Sequence, residues 1–293
     1  MPIRSSPGER IFDYANYFVL IVISILTLSP VLHVVAGAFS STQAIIHNRV
    51  SFWPVEPNLG NFEMVTQTPA FWNAAWMTVW VVVIGTAVNM FLTVLGAYPL
   101  SKRGLRGRKV LMLFIVFTMI FQAPMIPVYL VVKSLGLINS FWALVFPGAV
   151  SAFNMILCLT FFRSIPEDLF DAAKVDGMGE FRTVWQIAVP LSKPIMVTLL
   201  LFYAVGHWNA YMGPLLYIND RSMQTLQMYL YNLVAMGNSS DIAAAASSEA
   251  GMNLVPAAIE MATIVLATVP IVVLYPFLQG YFIKGATLGS VKE

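Results

Sequence analysis

Long apolar runs separated by short polar segments limit this chain more than any other feature. A helix needs roughly 20 apolar residues to cross about 30 Å of hydrocarbon, and runs of that length fall at approximately 14–38, 76–100, 110–132, 141–163, 195–216 and 256–282. Backbone amides in hydrocarbon have no water to bond, so runs like these must be helical. The expected fold is all-α: a polytopic membrane protein with about six transmembrane helices, forming one domain over residues 1–293. Its charged share of 10% is far below the roughly 25% of a soluble domain. Pro124 and Pro127 in QAPMIP interrupt the third run, where a kink or irregular segment is expected. The other runs are cleaner. The first lacks a small-residue cleavage pattern and reads as a retained span, not a signal peptide.

Basic residues set the expected orientation, because cytoplasmic loops carry the excess of Lys and Arg. With the N-terminus inside, only Arg49, Lys133 and Arg221 of the 16 Lys and Arg residues fall outside. Both termini, the loop KRGLRGRK at 102–109 and the segment 164–194 are then cytoplasmic. A net charge of +2 gives no reason to expect nucleic acid.

The segment SIPEDLFDAAKVDGMGEFRTVWQIAVPLSKP, residues 164–194, is a polar island between apolar runs and reads as helix, turn, helix. Ser164 and Glu167 have capping-box spacing, Pro166 suits a first turn, and Gly177 and Gly179 tolerate positive φ where the first helix stops. Pro190 and Pro194 are expected to close the second helix. A compact charged knob of this kind suggests a docking element.

Two outer segments are long. Residues 39–75 hold aromatics among turn residues, with Trp53 and Trp72 as candidate interfacial anchors. In 217–255, DRSMQTLQMYLYNLV could form a short amphipathic helix capped by Asp220. The small, polar GNSSDIAAAASSEAGMN that follows reads as a loop able to reach a partner or solute. Asn238 begins a glycosylation-type triplet that is common by chance.

No catalytic set is visible. The chain has no GxxxxGK[ST], HExxH or paired CxxC; Cys158 is the sole cysteine; and His33, His47 and His207 are scattered. No metal site and no catalytic residue are expected. Polar residues inside spans are then the functional candidates. In GHWNAY, a continuous helix places His207, Trp208 and Tyr211 on one face and turns Asn209 away. Aromatic rings beside hydrogen-bonding groups suit a sugar, whose faces stack and whose hydroxyls need partners. His207 and Asn209 could equally join helices to one another, and Asn89 and Asn154 share that ambiguity. Glu260 could simply reach the interface.

Within the island, Asp171-Ala172-Ala173, Asp176-Gly177, Pro190-Leu191 and Pro194 resemble the EAA loop of ABC importer membrane subunits, with Asp171 replacing the usual Glu and Met178 the usual Ala. The six-span layout is similar to the second permease subunit of maltose-type carbohydrate importers. LINSFWALVFP, FYAVGHWNAYMGPLLYIND and the tail look closest to the branch importing uronate oligosaccharides such as alginate fragments. The resemblance implies a type I ABC importer permease in the bacterial inner membrane, with 164–194 as a cytoplasmic coupling loop whose Asp171, Ala172, Ala173, Asp176, Gly177, Pro190 and Pro194 serve coupling to an ATPase. It also implies partners: a second permease subunit, two ATPase subunits that bind ATP and Mg, and an extracytoplasmic solute-binding protein. The outer loop 217–255 would touch that binding protein, and the tail 283–293 would lie along the ATPase dimer. A permease for another solute, or a secondary transporter without an ATPase, are the alternatives.

Overall fold

The computed structural model describes residues 7–121, 123–236 and 256–288, and all regular structure among them is helical. In chain order the helices are α1 Pro7–Ala38, α2 Thr42–Ile46, α3 Gly60–Gln67, α4 Pro69–Ser101, α5 Arg108–Ile120, α6 Met125–Ser134, α7 Ala152–Arg163, α8 Glu167–Val175, α9 Glu180–Thr183, α10 Val189–Leu191, α11 Lys193–Trp208, α12 Met212–Tyr217, α13 Leu226–Met236 and α14 Pro256–Leu288. Segments of α1, α4 and α14 are long and apolar enough to cross a membrane unbroken. Three bent pairs raise the total to as many as 6 spans. The residues Asn238–Ser240, the rest of 237–255 and the last five of the chain lie outside the described residues.

The contacts divide the described chain into two bodies. One holds the residues up to Pro69 with those of Asn232–Val269; the other holds Ala70–Tyr231 and the residues from Pro270 on. In the first body, the segment after α1 folds on a small core of Ala36, Ala44 and Val50. Buried Asn61 donates from its amide to the carbonyls of Ala38 and Ser40, at 3.2 and 2.9 Å. Trp53 stands 82% exposed. The second body has a larger core in which Val94, Ala97 and Tyr98 of α4, Cys158, Leu159 and Phe162 of α7, and Ile195, Met196 and Leu199 of α11 pack together.

Three runs differ from the reading as simple spans. The third is divided between α5 and α6 at the expected QAPMIP interruption. The fourth, a cleaner run by sequence, is bent: short 3-10 turns at Phe141–Leu144 and Phe146–Gly148 meet α7 at 55°; Pro147 and Gly148 disfavour a continuous helix there. In the fifth, α11 stops at Trp208. A continuous helix would lose the bond from position 214 to the Ala210 carbonyl, because Pro214 has no N–H and its ring would crowd that oxygen. The chain breaks at Asn209–Tyr211 and restarts as α12.

Candidate functional site

The 164–194 segment is built around α8. Phe170 and Ala173 are its buried residues, one helical turn apart, so one face grips the body while Asp171, Ala172, Val175 and Asp176 are exposed. Gly177 ends the helix at φ +73°. Its N–H donates to the Lys174 carbonyl at 3.0 Å and that of Met178 to Ala173 at 2.9 Å, the paired bonds of a Schellman motif. Three local expectations need correction. Ser164 does not cap α8; its hydroxyl donates back to the Phe161 carbonyl at 2.7 Å and satisfies the end of α7, leaving Pro166 as N-cap. Gly179 has φ −70° and opens α9 in extended conformation. Pro190 and Pro194 do not close a helix: Pro190 follows a wide π turn, Val184–Ala188, that makes room for its ring, and Pro194 lies in the first turn of α11. The segment Glu180–Leu191 meets α11 at 90°.

Four side chains join this loop to the end of α4. The Tyr98 hydroxyl donates to Glu180 Oε2 at 2.7 Å. Phe170 sets its ring edgewise to Tyr98 at 6.1 Å, and the Lys102 ammonium sits 3.6 Å from the centre of the Phe170 ring and 4.6 Å from that of Tyr98. Burial between these rings draws the Lys102 pKa down, and the Glu180 carboxylate opposes that shift. Arg103 and Glu167 form an exposed ion pair at 3.3 Å, worth under about 1 kcal/mol. Beside these contacts a cleft of about 700 Å³ is lined by Lys102, Arg103, Arg108, Arg163, Lys174, Glu167 and Asp171 among others.

A second polar group lies farther along α4. The Asn89 amide donates to the Gly148 carbonyl at 3.3 Å and meets His207 Nε2 at 3.2 Å, which makes that nitrogen the acceptor. The His207 ring lies close against Gly85, where a Cβ would come within 2.6 Å of Nε2. Between this group and the loop, Thr93 and Tyr203 share a buried hydroxyl bond of 2.6 Å. Asn89 and His207 are therefore together. Asn154 is buried in the first turn of α7, its N–H held by the Ser151 hydroxyl at 3.3 Å, and joins that pair through no hydrogen bond among the described residues. Trp208 is half-buried at the end of α11 and Asn209 is its exposed C-cap. Tyr211 does not share a helical face with His207 and Trp208, because the helix has ended; it stacks on Tyr231 of α13 at 5.9 Å. Asp220 caps a 3-10 turn at Ser222 with a 2.8 Å bond, while the helix expected to begin there starts later, the Leu226 N–H donating to the Thr78 hydroxyl at 2.7 Å.

Residues 15–288 match the family described as "binding-protein-dependent transport system inner membrane component". The chain belongs to this family. It is an integral membrane permease of an ABC importer, the non-catalytic subunit, with ATP hydrolysis in a separate one. Among curated relatives, the permease is 41% identical over 99% of its length to "Protein LplC" of Bacillus subtilis (strain 168), 97% of which is covered. It is also 41% identical to "Polygalacturonan/rhamnogalacturonan transport system permease protein YtcP" of the same organism, covering 97% of this chain and 99% of that one. Among solved structures, the permease superposes with TM-score 0.89 and 30% identity on a chain of a bacterial ABC transporter involved in the import of the acidic polysaccharide alginate, covering 96% of this chain and 100% of that one.

Sequence reading of the permease missed Tyr98, Lys102, Phe170 and Glu180 as a group. Tyr98 and Glu180 are 82 residues apart, and no local periodicity links them. It also missed how LINS and YIND meet: Asn139, at φ +57°, accepts at Oδ1 from the Asn219 N–H at 2.6 Å, and its own N–H donates to the Tyr217 carbonyl at 2.9 Å.

Proposed function

We propose that this permease is one half of a heterodimeric pathway importing an oligosaccharide, with a uronate-containing chain as the cargo class, across the bacterial inner membrane. The observation that carries the coupling role is the shape of α8. One face is buried through Phe170 and Ala173, and the other exposes the motif residues Asp171, Ala172 and Asp176 together with Val175, 88% exposed among charges. The loop leaves Leu169, Val175 and Phe181 all exposed, apolar surface of a kind suited to being covered by a partner, and the partner proposed is an ATPase subunit holding ATP and Mg. The loop then lies in the cytoplasm with both termini, and the solute-binding protein engages the opposite side. In this reading 164–194 is the coupling loop, and closure of the ATPase dimer moves it.

Two relatives support the cargo class through their names: one is a polygalacturonan and rhamnogalacturonan permease, the other part of an alginate transporter, and both cargoes carry carboxylates. For the pathway, Asn89 and His207 supply hydrogen-bonding groups within the spans, and the exposed Tyr211–Tyr231 pair offers a ring surface of the kind sugars stack on.

Tagging the chain, extracting it in mild detergent and assaying ATP hydrolysis with a binding protein loaded with candidate oligosaccharides tests the reading. A second permease and an ATPase should co-purify, with hydrolysis raised several-fold by a uronate oligosaccharide. A chain that purifies alone refutes the coupling role; stimulation only by a neutral sugar refutes the cargo class.

A further inference from the structure

We infer that Tyr98 and Glu180 form a latch through which motion of the 164–194 loop reaches α4, a helix that does not adjoin the loop in sequence. The inference rests on the coupling role proposed for that loop. The chain itself carries loop motion only into α7 and α11, the helices on either side of it. The latch adds a third route. Tyr98 is buried and donates at 2.7 Å to Glu180, the first residue of α9. Phe170 of α8 packs on the same ring, and Lys102 covers both rings. The loop therefore holds the end of α4 by both of its helical segments.

From Tyr98, α4 runs about 13 Å to Asn89 at 1.5 Å per residue, and on the way it is tied twice to α11: Thr93 to Tyr203 at 2.6 Å and Asn89 to His207 at 3.2 Å. The same two α4–α11 ties reach the 145–151 segment, the Tyr203 hydroxyl accepting from the Ser151 N–H at 3.4 Å and the Asn89 amide donating to Gly148. The Thr93–Tyr203 bond is buried and the other bonds, Tyr98–Glu180 among them, are part-buried; each has a defined geometry and loses most of its strength when stretched. A displacement at Glu180 is thus passed along α4 to the His207 group, while a loop held only by apolar contacts could slide past it. Tyr98 and Glu180 are positioning residues and need not touch solute.

The test uses the whole transporter in proteoliposomes, with ATP hydrolysed per sugar imported as the readout. Tyr98→Phe keeps the ring and removes only the donating hydroxyl; Glu180→Ala removes the acceptor; Glu180→Gln keeps a carbonyl oxygen able to accept. The first two should retain the co-purifying ATPase and raise ATP consumed per sugar about 5-fold or more, as loss of a charge-assisted bond implies, and Glu180→Gln should return the ratio to within about 2-fold of the unmodified transporter. A merely structural role would lower uptake and hydrolysis together, or lower the yield of complex, and leave the ratio unchanged; that result overturns the latch. If the unmodified chain holds no ATPase, the coupling role itself fails, and that outcome is separate from an unchanged ratio in an intact complex.

Discussion

Replacing Phe170 with Ala should free α8 from the body of the permease while leaving the spans folded. Phe170 is 5% exposed and is one of only two buried residues in α8, the other being the small Ala173. A buried Phe→Ala change costs about 3–5 kcal/mol, and here it also removes the surface on which Lys102 rests, worth about 0.5–2 kcal/mol. Nine residues do not hold a helix in water without packing. The cost should therefore appear as local opening of the loop, by a factor of about 100 or more at the lower figure. Hydrogen exchange of the purified permease reads this directly. Amides of 170–178 should exchange about 100-fold faster, and those in the middle of α4 at their former rate. Phe170→Leu, which keeps most of the apolar volume, should recover most of the protection. Unchanged exchange across 170–178 in Phe170→Ala would refute the claim that this side chain anchors the loop.

Other perturbations follow from single contacts. Gly177→Val forces a β-branched residue to φ +73°, costing about 1–2 kcal/mol, and should reduce ATPase co-purification while membrane insertion, followed by protease protection, is normal. Gly85→Ala places a methyl group against the His207 ring and should destabilise by about 1–3 kcal/mol, read as a lower melting temperature in detergent. Asn89→Leu leaves the Gly148 carbonyl and His207 without their donor and should cost about 1–3 kcal/mol by the same measurement. Bonds from the Ser222 N–H and hydroxyl hold the Asp220 carboxyl below its ordinary value, so the 3-10 turn gains from the ionised form. That gain is present above the unfolded aspartate pKa and is lost as pH falls through the lower folded one. Exchange at the Ser222 amide should accelerate only below the ordinary aspartate range, and a Asp220→Asn variant should show no such step.

What was legible in the sequence was local or compositional. The apolar runs set the class, since hydrocarbon admits only helices or closed barrels, and Gly177 marked a helix stop that the backbone realises with a positive φ. Ser164 matched a capping-box pattern, but the preceding helix claimed its hydroxyl; the pattern cannot say which of two adjacent helix ends is satisfied. Counting at helical period puts Tyr211 on the His207 face, and that count fails at the Asn209–Tyr211 break, where α11 has already ended ahead of Pro214. The contacts joining distant segments were not legible: Asn89 and His207 are separated by 118 residues, and each is an ordinary polar residue in its own run.

The central claim, that the α8 face is the docking surface for an ATPase, is tested most directly by a photo-crosslinking amino acid at Val175, which stands 88% exposed on that helix. Illumination of the assembled transporter should yield one adduct, with the ATPase subunit, whose intensity changes when ATP binds. Adducts with lipid alone, or with the solute-binding protein, would contradict the claim.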